Sequence, residues 1–355
     1  EIEKAGLGGS VKVFETGCMG TCAVGPVMLV MPDGIFYTEL NAQKVKKIIA
    51  SHIAGGKMLE QYTFYDYSLG RNVPHIDDIN FFKKQVKIVL RNCGSIEFGK
   101  IEAYIAKDGY FAAHKALNEM TPEKVVEELK KSGLKGRGGA GFPTGVKWES
   151  GLKQKSKRKF IVCNADEGDP GAFMDRSVIE GDPHTIIEGI LIGGYAIGAR
   201  QGYIYIRAEY PLAVERMTAA LEEARERGIL GENIFGSGFS FDIEIRIGAG
   251  AFVCGEETAL MASIEGRRGE PKQKPPFPFQ RGLFGEPTII NNAETFASVP
   301  VILEKGGEWY AQFGTKTSKG TKVFALAGNV LNTGIVEVPV GMPLGDIIFE
   351  IGGGT

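Results

Sequence analysis

The stretch Phe160-Ile161-Val162-Cys163-Asn164-Ala165-Asp166-Glu167-Gly168-Asp169-Pro170-Gly171 decides the fold class of this chain. Its first four residues are apolar and predict a short, fully buried strand. The polar residues that follow form an acidic turn bounded by proline and glycine. In α/β folds, ligand-binding groups gather after the carboxyl ends of strands, so this turn predicts contacts with ribityl or ribose hydroxyls. An ordinary acidic loop has the same composition and remains the alternative.

Strands and helices alternate downstream of this stretch. Hydrophobic periodicity predicts a helix, a strand, a helix and a strand in succession, over residues 185–199, 203–207, 211–228 and 241–247. Upstream, a short strand is predicted at residues 85–90 and a weaker helical pattern at residues 102–118. This succession predicts a mainly α/β core, which we place at residues 56–318.

Both flanks of the core differ from it in pattern. Residues 11–15 are predicted as a strand, and a hairpin turn at Pro32-Asp33-Gly34 leads into a strand and a helix that ends near Ile53. Residues 1–55 therefore predict a small α+β unit. The tail, residues 319–355, predicts a hairpin and a short helix, which is the start of a third small domain.

Composition and charge exclude several classes of protein. Hydrophobic residues are 43% of the chain and charged residues 24%, which excludes a disordered chain and a coiled coil. The net charge of -2 predicts no general affinity for nucleic acid. No uncharged apolar run approaches the roughly 20 residues of a membrane span, so no direct membrane insertion is expected. Five cysteines without regular spacing favour a reducing compartment, and we predict a cytoplasmic protein.

Glycine is abundant, with 50 residues, and is concentrated in the loop Gly136-Arg137-Gly138-Gly139-Ala140-Gly141-Phe142-Pro143-Thr144-Gly145. A G-x-G-x-x-G pattern begins at Gly136, but a predicted helix precedes it where the Rossmann fingerprint requires a strand. Backbone N–H groups in such a loop are free to face a phosphate or a flat ring. Arg137 and Lys147 add positive charge. A flexible surface loop remains the alternative.

A second glycine loop, Gly248-Ala249-Gly250-Ala251-Phe252-Val253-Cys254-Gly255-Glu256-Glu257-Thr258, joins a predicted strand to a predicted helix. Such a loop at a helix N-terminus is a natural anion site. Glu256 and Glu257 are unusual beside a phosphate, but they suit sugar hydroxyls or an amide as acceptors. Alternatively, both glutamates only stabilise the helix through its dipole.

Two further segments carry charged, aromatic and amide groups. The rigid segment Lys274-Pro275-Pro276-Phe277-Pro278 would hold a cation and an aromatic face in place, or it is only a stiff surface connector. The segment Ile290-Asn291-Asn292-Ala293-Glu294-Thr295 places two amides at a predicted helix start. Asparagine is also a good helix cap, which is the alternative for this segment.

Cys18 and Cys22 form a C-x₃-C pair inside a glycine-rich loop. Zinc sites more often use C-x₂-C with a second such pair, and a [2Fe–2S] cluster commonly takes four thiolates. The other three cysteines are far apart along the chain, so the residues alone assemble no complete metal site. Two reduced thiols without a metal remain the alternative.

The order and spacing of five motifs resemble the NADH-binding flavoprotein subunit of respiratory complex I and its relatives in soluble hydrogenases and formate dehydrogenases. The motifs are GRGGAGFPTG-V-KW, CNADE-x-DPG, GAGAFVCGEETAL, KPPFP and INNAET. The flanks make the chain most similar to the diaphorase (beta) subunit of soluble NAD(P)-linked [FeFe]-hydrogenases. Residues 1–55 resemble the second half of a thioredoxin-like ferredoxin domain, and residues 319–355 resemble the opening of a β-grasp, soluble-ligand-binding domain.

The resemblance implies FMN and a dinucleotide, NAD(H) or NADP(H), bound in a non-Rossmann α/β fold. The glycine loop, with Gly136 and Arg137, would wrap both ligands. FMN would be surrounded by Gly138, Lys147, Asn164, Asp166, Glu167, Gly255, Glu256, Asn291 and Asn292. The dinucleotide site would be lined by Gly139, Phe142, Asp169, Phe252, Glu257, Lys274 and Phe277. A hydride would pass between nicotinamide and flavin, and single electrons would then pass through iron–sulfur clusters, with no catalytic acid or base in the protein.

The same resemblance makes Cys18 and Cys22 the second ligand pair of a [2Fe–2S] cluster that is incomplete in this chain. A [4Fe–4S] motif would lie beyond Thr355, so we expect the chain to be a segment of a longer polypeptide. Its partners would be the iron–sulfur and hydrogenase-type subunits of a multi-subunit complex. Asp169 stands where respiratory relatives usually have glutamate, and the shorter acid predicts some relaxation toward NADP(H).

Three functions are open at this point. The first is a flavin-dependent NAD(P)H oxidoreductase subunit in a hydrogenase or, alternatively, in a respiratory NADH:quinone oxidoreductase or an NAD-linked formate dehydrogenase. The second is a self-contained NAD dehydrogenase, which would need an acid/base group that is not evident. The third is an electron-transfer or scaffolding subunit without nucleotide binding, against which the intact charged and amide positions argue.

Overall fold

The computed structural model describes residues 1–355. The strands are β1 Met28–Val30, β2 Ile35–Tyr37, β3 Phe64–Asp66, β4 Arg71–Val73, β5 Phe160–Ala165, β6 Gln201–Arg207, β7 Asp242–Gly248, β8 Thr288–Asn292, β9 Thr321–Leu326 and β10 Gly334–Pro339. The α-helices are α1 Ala42–Ile48, α2 Asn80–Lys83, α3 Ile101–Ile105, α4 Phe111–Glu119, α5 Pro122–Ser132, α6 Thr144–Leu152, α7 Met174–Gly181, α8 Pro183–Ile197, α9 Pro211–Glu226, α10 Glu257–Ile264, α11 Ala293–Lys305 and α12 Gly307–Tyr310.

A sheet of four parallel strands, in the order β7-β6-β5-β8, forms the centre of the molecule. Val162 of β5 pairs with Tyr203 of β6 on one side and with Ile290 of β8 on the other. The chain winds outward from β5 to β7 and then returns to the far side of β5, which places a switch point between β5 and β8. The predicted α/β core is therefore confirmed.

The relation of this core to the Rossmann fold is mixed. The strand order is the one found around the switch point of a doubly wound sheet. The glycine loop, however, lies between α5 and α6 and does not follow the first strand of the sheet. The strand that should precede a Rossmann fingerprint is thus absent, as the sequence predicted. The order of the four strands nevertheless matches that of a doubly wound sheet.

Helices cover both faces of the sheet. Nearly every residue of α8 is buried, which explains its continuous apolar pattern, and α8 packs against α11. A Cβ on Gly189 of α8 would lie 2.2 Å from the carbonyl oxygen of Phe296, so only glycine allows this close approach. On the opposite face, Leu260 of α10 shares a buried cluster with Phe160 and Val162 of β5. A membrane-spanning helix would have to be longer and more apolar than any helix in this structure.

The two ends of the chain pack together beside the core. Phe36 of β2, Phe64 of β3, Val336 of β10 and Ile351 lie in one buried apolar cluster. The two predicted hairpins are present as the antiparallel pairs β1–β2 and β9–β10. Asn41 caps α1 through its side chain. The amino-terminal unit and the tail therefore share apolar contacts although they are far apart in sequence.

The strand predicted at residues 11–15 is absent. No other strand pairs with these residues, and the side chain of Val13 is 73% exposed. Apolar alternation alone therefore gave a wrong prediction, because a strand also needs a neighbour to accept its backbone hydrogen bonds.

The strand predicted at residues 85–90 is also absent, for a different reason. The amides of Ile88, Val89 and Leu90 donate to the carboxylate of Glu337, at 2.9 to 3.0 Å. Glu337 lies on β10 and is fully buried; burial raises the pKa of this carboxyl, and the hydrogen bonds oppose the shift. A buried carboxylate thus satisfies three consecutive amides, which then need no neighbouring strand.

Candidate functional site

The candidate site lies at the carboxyl edge of the central sheet, where β5 and β8 end side by side. Asn164, near the end of β5, pairs in register with Asn292 of β8. The side-chain amide of Asn164 donates to the carbonyl oxygen of Gly255 at 2.9 Å, and its oxygen accepts from the backbone amide of Asp166 at 3.1 Å. A single asparagine therefore holds the acidic turn and the second glycine loop together.

Asp166 is a buried carboxyl group with an unsatisfied oxygen. Asp166 is 2% exposed, and its Oδ1 has no hydrogen-bond partner in the chain. Burial raises the pKa of Asp166 to about 6, and the charge of Arg207 opposes that shift. A Cβ on Gly255 would lie 3.3 Å from Asp166 Oδ2, so glycine leaves room at this carboxyl. Because an unpaired buried acceptor costs free energy, a bound hydroxyl or amide donor would be stabilising here.

Glu167, the next residue, is used inside the protein. Its carboxylate accepts from the amides of Asp175 and Arg176 at 2.9 and 3.0 Å, which caps α7. Its φ of +40° lies in the left-handed region, which is uncommon for a residue with a side chain. Its carbonyl oxygen accepts from Arg207 at 2.8 Å. The carboxylate of Glu167 therefore builds the start of α7, and its place in the FMN set stays a prediction.

The first glycine loop is closed at its base and open at its tip. The amide of Gly136 donates to the carbonyl oxygen of Phe142 at 2.9 Å, which closes the base. The backbone amides of residues 138–141 form no hydrogen bond within the chain. Gly139 has a φ of +103°, a conformation that a residue with a side chain adopts only with strain. The tip thus presents consecutive unpaired donors, which suit an anion or a carbonyl-bearing ring.

Arg137 does not contribute its charge to this loop. It is 9% exposed, and its Nε lies 4.0 Å from Glu294 Oε1. Its guanidinium donates to one hydroxyl and three carbonyl groups, which belong to Tyr310, Lys135, Lys319 and Thr321. Every guanidinium nitrogen is engaged inside the protein. The side chain of Arg137 thus joins the loop to β9, and a ligand contact of this residue stays a prediction.

Helix α6 begins directly after the loop and carries two side chains to β8. Lys147 Nζ donates to the carbonyl oxygen of Ile290 at 3.0 Å, and Trp148 Nε1 donates to Asn291 Oδ1 at 2.9 Å. The side-chain nitrogen of Asn291 has no acceptor in the chain. Burial lowers the pKa of Lys147, and the charge of Glu257 opposes this effect. Lys147, just after the first glycine loop, therefore feels the charge of Glu257, at the end of the second glycine loop.

Asn292, in contrast to Asn291, is fully occupied. Its side-chain nitrogen donates to Asp175 Oδ2 at 2.5 Å, and its oxygen accepts from the amide of Glu294 at 2.9 Å, which caps α11. A Cβ on Gly138 would lie 3.2 Å from Asn292 Cβ, so the glycine loop touches this residue. Asp175, whose pKa burial and the charge of Glu167 raise well above its usual value, had no assigned role because no motif or periodicity marks it.

The second glycine loop ends in a group of three charges. Glu256 caps α10 by accepting from the amides of Thr258 and Ala259. The other oxygen of Glu256 lies 3.1 Å from Lys274 Nζ, and Lys274 also forms an ion pair with Glu257. Burial lowers the pKa of Lys274, but the hydrogen bonds that its ammonium donates to both glutamates outweigh burial and raise the pKa. Lys274 is thus held over the start of α10.

Three predicted phenylalanines expose their rings around these groups. Phe142, Phe252 and Phe277 are 50%, 68% and 44% exposed. Lys147 Nζ lies 6.0 Å from the centre of the Phe142 ring. Asp169 is also exposed, and its carboxylate forms no hydrogen bond or ion pair. Exposed rings of this kind offer apolar faces to a flat ligand ring.

Cys18 and Cys22 lie together at the surface, away from these motifs. The hydrogen bond between the two thiols lowers the pKa of Cys18 to about 6 and raises the pKa of Cys22. Gly17 packs against Gly181 at the end of α7. No group of three or more side chains suited to a metal is present. Two thiols do not complete the ligand set of a [2Fe–2S] cluster within this chain, so the cluster stays a prediction.

Comparison with known proteins extends these observations. Residues 129–301 match the family model described as the Nuo51 FMN-binding domain. The chain is 61% identical over 272 residues to the NADP-reducing hydrogenase subunit HndC of Solidesulfovibrio fructosivorans, a match that covers 77% of this chain and 55% of that protein. It is 49% identical over 267 residues to a subunit of the NADH-quinone oxidoreductase of Rhizobium meliloti (strain 1021), covering 75% of this chain and 63% of that protein.

A solved structure is similar over most of the molecule. The crystal structure of NAD+-reducing [NiFe]-hydrogenase in the H2-reduced state matches with a TM-score of 0.65 and 30% identity. The match covers 93% of this chain and 52% of that chain. The present chain thus spans between about half and two thirds of the length of these relatives.

Proposed function

Because the chain belongs to the family of the NADH-binding flavoprotein subunit of complex I, we propose that it is a diaphorase subunit, an NAD(P)H:acceptor oxidoreductase. The proposed reaction is hydride transfer between NAD(H) or NADP(H) and FMN, followed by single-electron exchange with iron–sulfur clusters. One observation carries the proposal. The glycine loop, whose amides at residues 138–141 are unpaired, touches Asn292 of β8 through Gly138. Asn292 pairs with Asn164 of β5, two residues before the unpaired carboxyl oxygen of Asp166.

The unpaired groups fit the chemistry of FMN. Its ring carbonyls and phosphate need donors, and its ribityl hydroxyls need acceptors. The amides of residues 138–141 and the side-chain nitrogen of Asn291 are the donors, and Asp166 Oδ1 is the acceptor. Lys147, held by the carbonyl of Ile290, adds a positive charge. When bound, FMN supplies the chemistry, because a flavin takes up a hydride as an electron pair and releases electrons singly.

Other residues of the predicted FMN set shape the site. Gly138 and Gly255 keep space open, since a Cβ at either position would crowd Asn292 or Asp166. Asn164 ties the acidic turn to the second glycine loop. Glu256, Glu167 and Asn292 fix the starts of three helices. Their role in the proposal is to position the groups that bind.

We assign the dinucleotide to the exposed side of the same region. The rings of Phe142, Phe252 and Phe277 offer stacking faces to a base or to nicotinamide. The ion pair of Glu257 with Lys274 offers an acceptor and a donor to sugar hydroxyls. Gly139 and Asp169, both exposed, complete the proposed set. Hydride transfer moves no proton through the chain, so this function needs no catalytic acid or base.

The proposal extends to the flanks and to the partners. Residues 1–55 are taken as part of a thioredoxin-like ferredoxin domain with Cys18 and Cys22 as two cluster ligands, and residues 319–355 as the start of a β-grasp domain. The 61% identity to a hydrogenase subunit supports partners of the iron–sulfur and hydrogenase type. The match to a quinone oxidoreductase subunit supports the respiratory setting as the second candidate.

Absorbance spectroscopy tests the proposed function. The purified full chain, incubated with FMN and freed of excess, is expected to retain a flavin that NADH or NADPH bleaches without oxygen. It is also expected to reduce an artificial dye. Asp166→Ala should lose flavin, and Asp77→Ala, which removes an exposed carboxylate elsewhere, should keep it. A chain that retains no flavin, or a flavin that neither coenzyme bleaches, contradicts the proposal.

A further inference from the structure

A cavity of about 350 Å³ lies beside α10, next to the proposed dinucleotide site. One wall is a face of the helix, with Thr258, Met261, Ala262 and Glu265. The opposite wall includes the segment 272–278, which we call the strap. Lys272 and Pro276 of the strap line the cavity. The volume is at the lower end of the range of small-molecule sites.

The cavity carries an excess of positive charge. Three cations, Arg267, Lys272 and Arg281, and one carboxylate, Glu265, contribute to its lining. Glu265 is already engaged, since it pairs with Arg267 and accepts from the amide of Phe284 at 2.6 Å. Lys272 and Arg281 form no ion pair and no side-chain hydrogen bond within the chain. Two unpaired cations in one concave site attract a multiply charged anion.

The strap connects this cavity to the ion pair between Lys274 and Glu257. The amide of Lys272 donates to Thr258 Oγ1 at 2.7 Å, which fixes the strap to the start of α10. Lys274, two residues on, forms its ion pair with Glu257. Phe277 lies between two prolines that line the cavity. Lys272 and the proposed dinucleotide contacts Lys274 and Phe277 are therefore neighbours along one proline-rich segment, and Arg281 follows three residues after it.

We propose that this cavity binds the 2′-phosphate of NADP(H), with Lys272 and Arg281 as its cationic partners. The inference rests on the proposed function and names its coenzyme. NADP(H) differs from NAD(H) only by a phosphate monoester on the adenosine ribose, which carries close to two negative charges at neutral pH. Each cation supplies charge-assisted hydrogen bonds to the phosphate oxygens. The apolar groups of Met261 and Pro276 border the same space.

Isothermal titration of the full chain with three probes tests this inference. The probes are adenosine 2′,5′-bisphosphate, adenosine 5′-monophosphate and inorganic phosphate. We expect the bisphosphate to bind at least about tenfold more tightly than the monophosphate, because only the bisphosphate carries the 2′-phosphate that the two cations would hold. Arg281→Gln should reduce this ratio to within about twofold and leave the affinity for the monophosphate unchanged.

Arg268→Gln is the matched control. It removes the same charge, but Arg268 is exposed, pairs with Glu270 and does not line the cavity. Lys272→Gln provides a second, independent variant if circular dichroism shows that Arg281→Gln is misfolded. Equal binding of the two nucleotides, equal ratios in Arg281→Gln and Arg268→Gln, or displacement of the bisphosphate by inorganic phosphate at the same concentration would each overturn the proposal.

Flavin bleaching separates this inference from the proposed function. If the chain retains no flavin, the proposed function fails, whereas the nucleotide ratios still decide whether the cavity prefers a 2′-phosphate. If NADH and NADPH bleach the flavin, Arg281→Gln should raise the KM for NADPH about tenfold and leave the KM for NADH unchanged. An unchanged KM for NADPH in this variant contradicts the inference alone.

Discussion

In three of the motifs, neighbouring residues differ in whether the protein itself uses their hydrogen-bonding groups. In each motif one residue is fully engaged by the protein, and the adjacent group has a free donor or acceptor. The engaged residues are Arg137, Glu167 and Asn292, and the groups with free atoms belong to residues 138–141, Asp166 and Asn291. We call the first set the anchors and the second set the open groups.

We infer that the anchors contribute mainly to the stability of the fold, whereas the open groups contribute mainly to ligand binding. Each anchor fixes the backbone within one residue of an open group, so the open groups are preorganised without forming bonds of their own. Substitutions of anchors should therefore reduce the free energy of unfolding first. Substitutions of open groups should leave folding intact, or even favour it, and reduce binding.

Arg137→Met should have the largest effect, a loss of about 3 to 5 kcal/mol in the free energy of unfolding. The variant removes hydrogen bonds to three carbonyl groups and leaves the buried carboxyl of Glu294 without its cationic neighbour. Urea unfolding followed by circular dichroism measures this loss. Lys135→Met, which removes a cation two residues away that forms no ion pair, is the control, and an equal loss in both variants would show that Arg137 is no anchor.

Glu167→Ala should cost about 1 to 2 kcal/mol, the usual value of a helix cap. Its carboxylate holds two amides at the start of α7, which alanine leaves unpaired. Glu180→Ala, at the other end of the same helix, removes only an i,i+4 pair with the exposed side chain of Arg176 and should cost no more than about 0.5 kcal/mol. If urea unfolding shows the same loss of stability in Glu167→Ala and Glu180→Ala, Glu167 does not act as a helix cap.

Asp166→Asn should change stability in the opposite direction. Because burial raises the pKa of Asp166 to about 6 from 3.8, the folded state binds the proton more strongly, and stability falls as the pH rises through this interval. Asparagine should remove this pH dependence. Relative to the unaltered chain, the free energy of unfolding should rise by on the order of 1 kcal/mol at pH 8 and should not change at pH 4. Flavin affinity should decrease in the same variant. A variant less stable than the unaltered chain at pH 8 would place Asp166 among the anchors.

Asp169→Glu should have the smallest effect on folding, within about 0.5 kcal/mol, since the side chain of Asp169 is exposed and unpaired. Its expected effect is on coenzyme choice. A longer acid reaches further toward a 2′-phosphate, so the ratio of NADPH to NADH turnover should fall. Steady-state reduction of an artificial dye with each coenzyme measures the ratio, and an unchanged ratio removes the hypothesis.

The core was predictable because its signals are local. The apolar run of β5 and the periodicity of α8 each lie within one short window, and the structure has both elements. The meeting of the motifs at one edge of the sheet followed from the rule that ligand groups collect after parallel strands. Asn164, which joins two motifs directly, is the clearest case of this agreement.

The failures arise where partners are distant in sequence. The apolar run at residues 85–90 has the composition of a strand, but its amides bind Glu337, which is about 250 residues further along the chain. Arg137 is a residue type that often binds phosphate, but three of its four partners come from residues 310–321, and no local sequence pattern predicts them. Local sequence identifies a side chain that is able to bind a ligand. Only the fold shows whether other residues of the protein already satisfy the hydrogen bonds of that side chain.

The buried carboxylate of Glu337 has a consequence for how far the packed core extends. Residues 129–301 are the segment that the family model recognises, yet both ends of the bond between Glu337 and residues 88–90 lie outside it. A fragment reduced to residues 129–301 would lose both partners of this bond, and with them Ile88, Val89 and Leu90 from the buried cluster that includes α8. The packed core of this chain therefore extends beyond the segment that the family model matches.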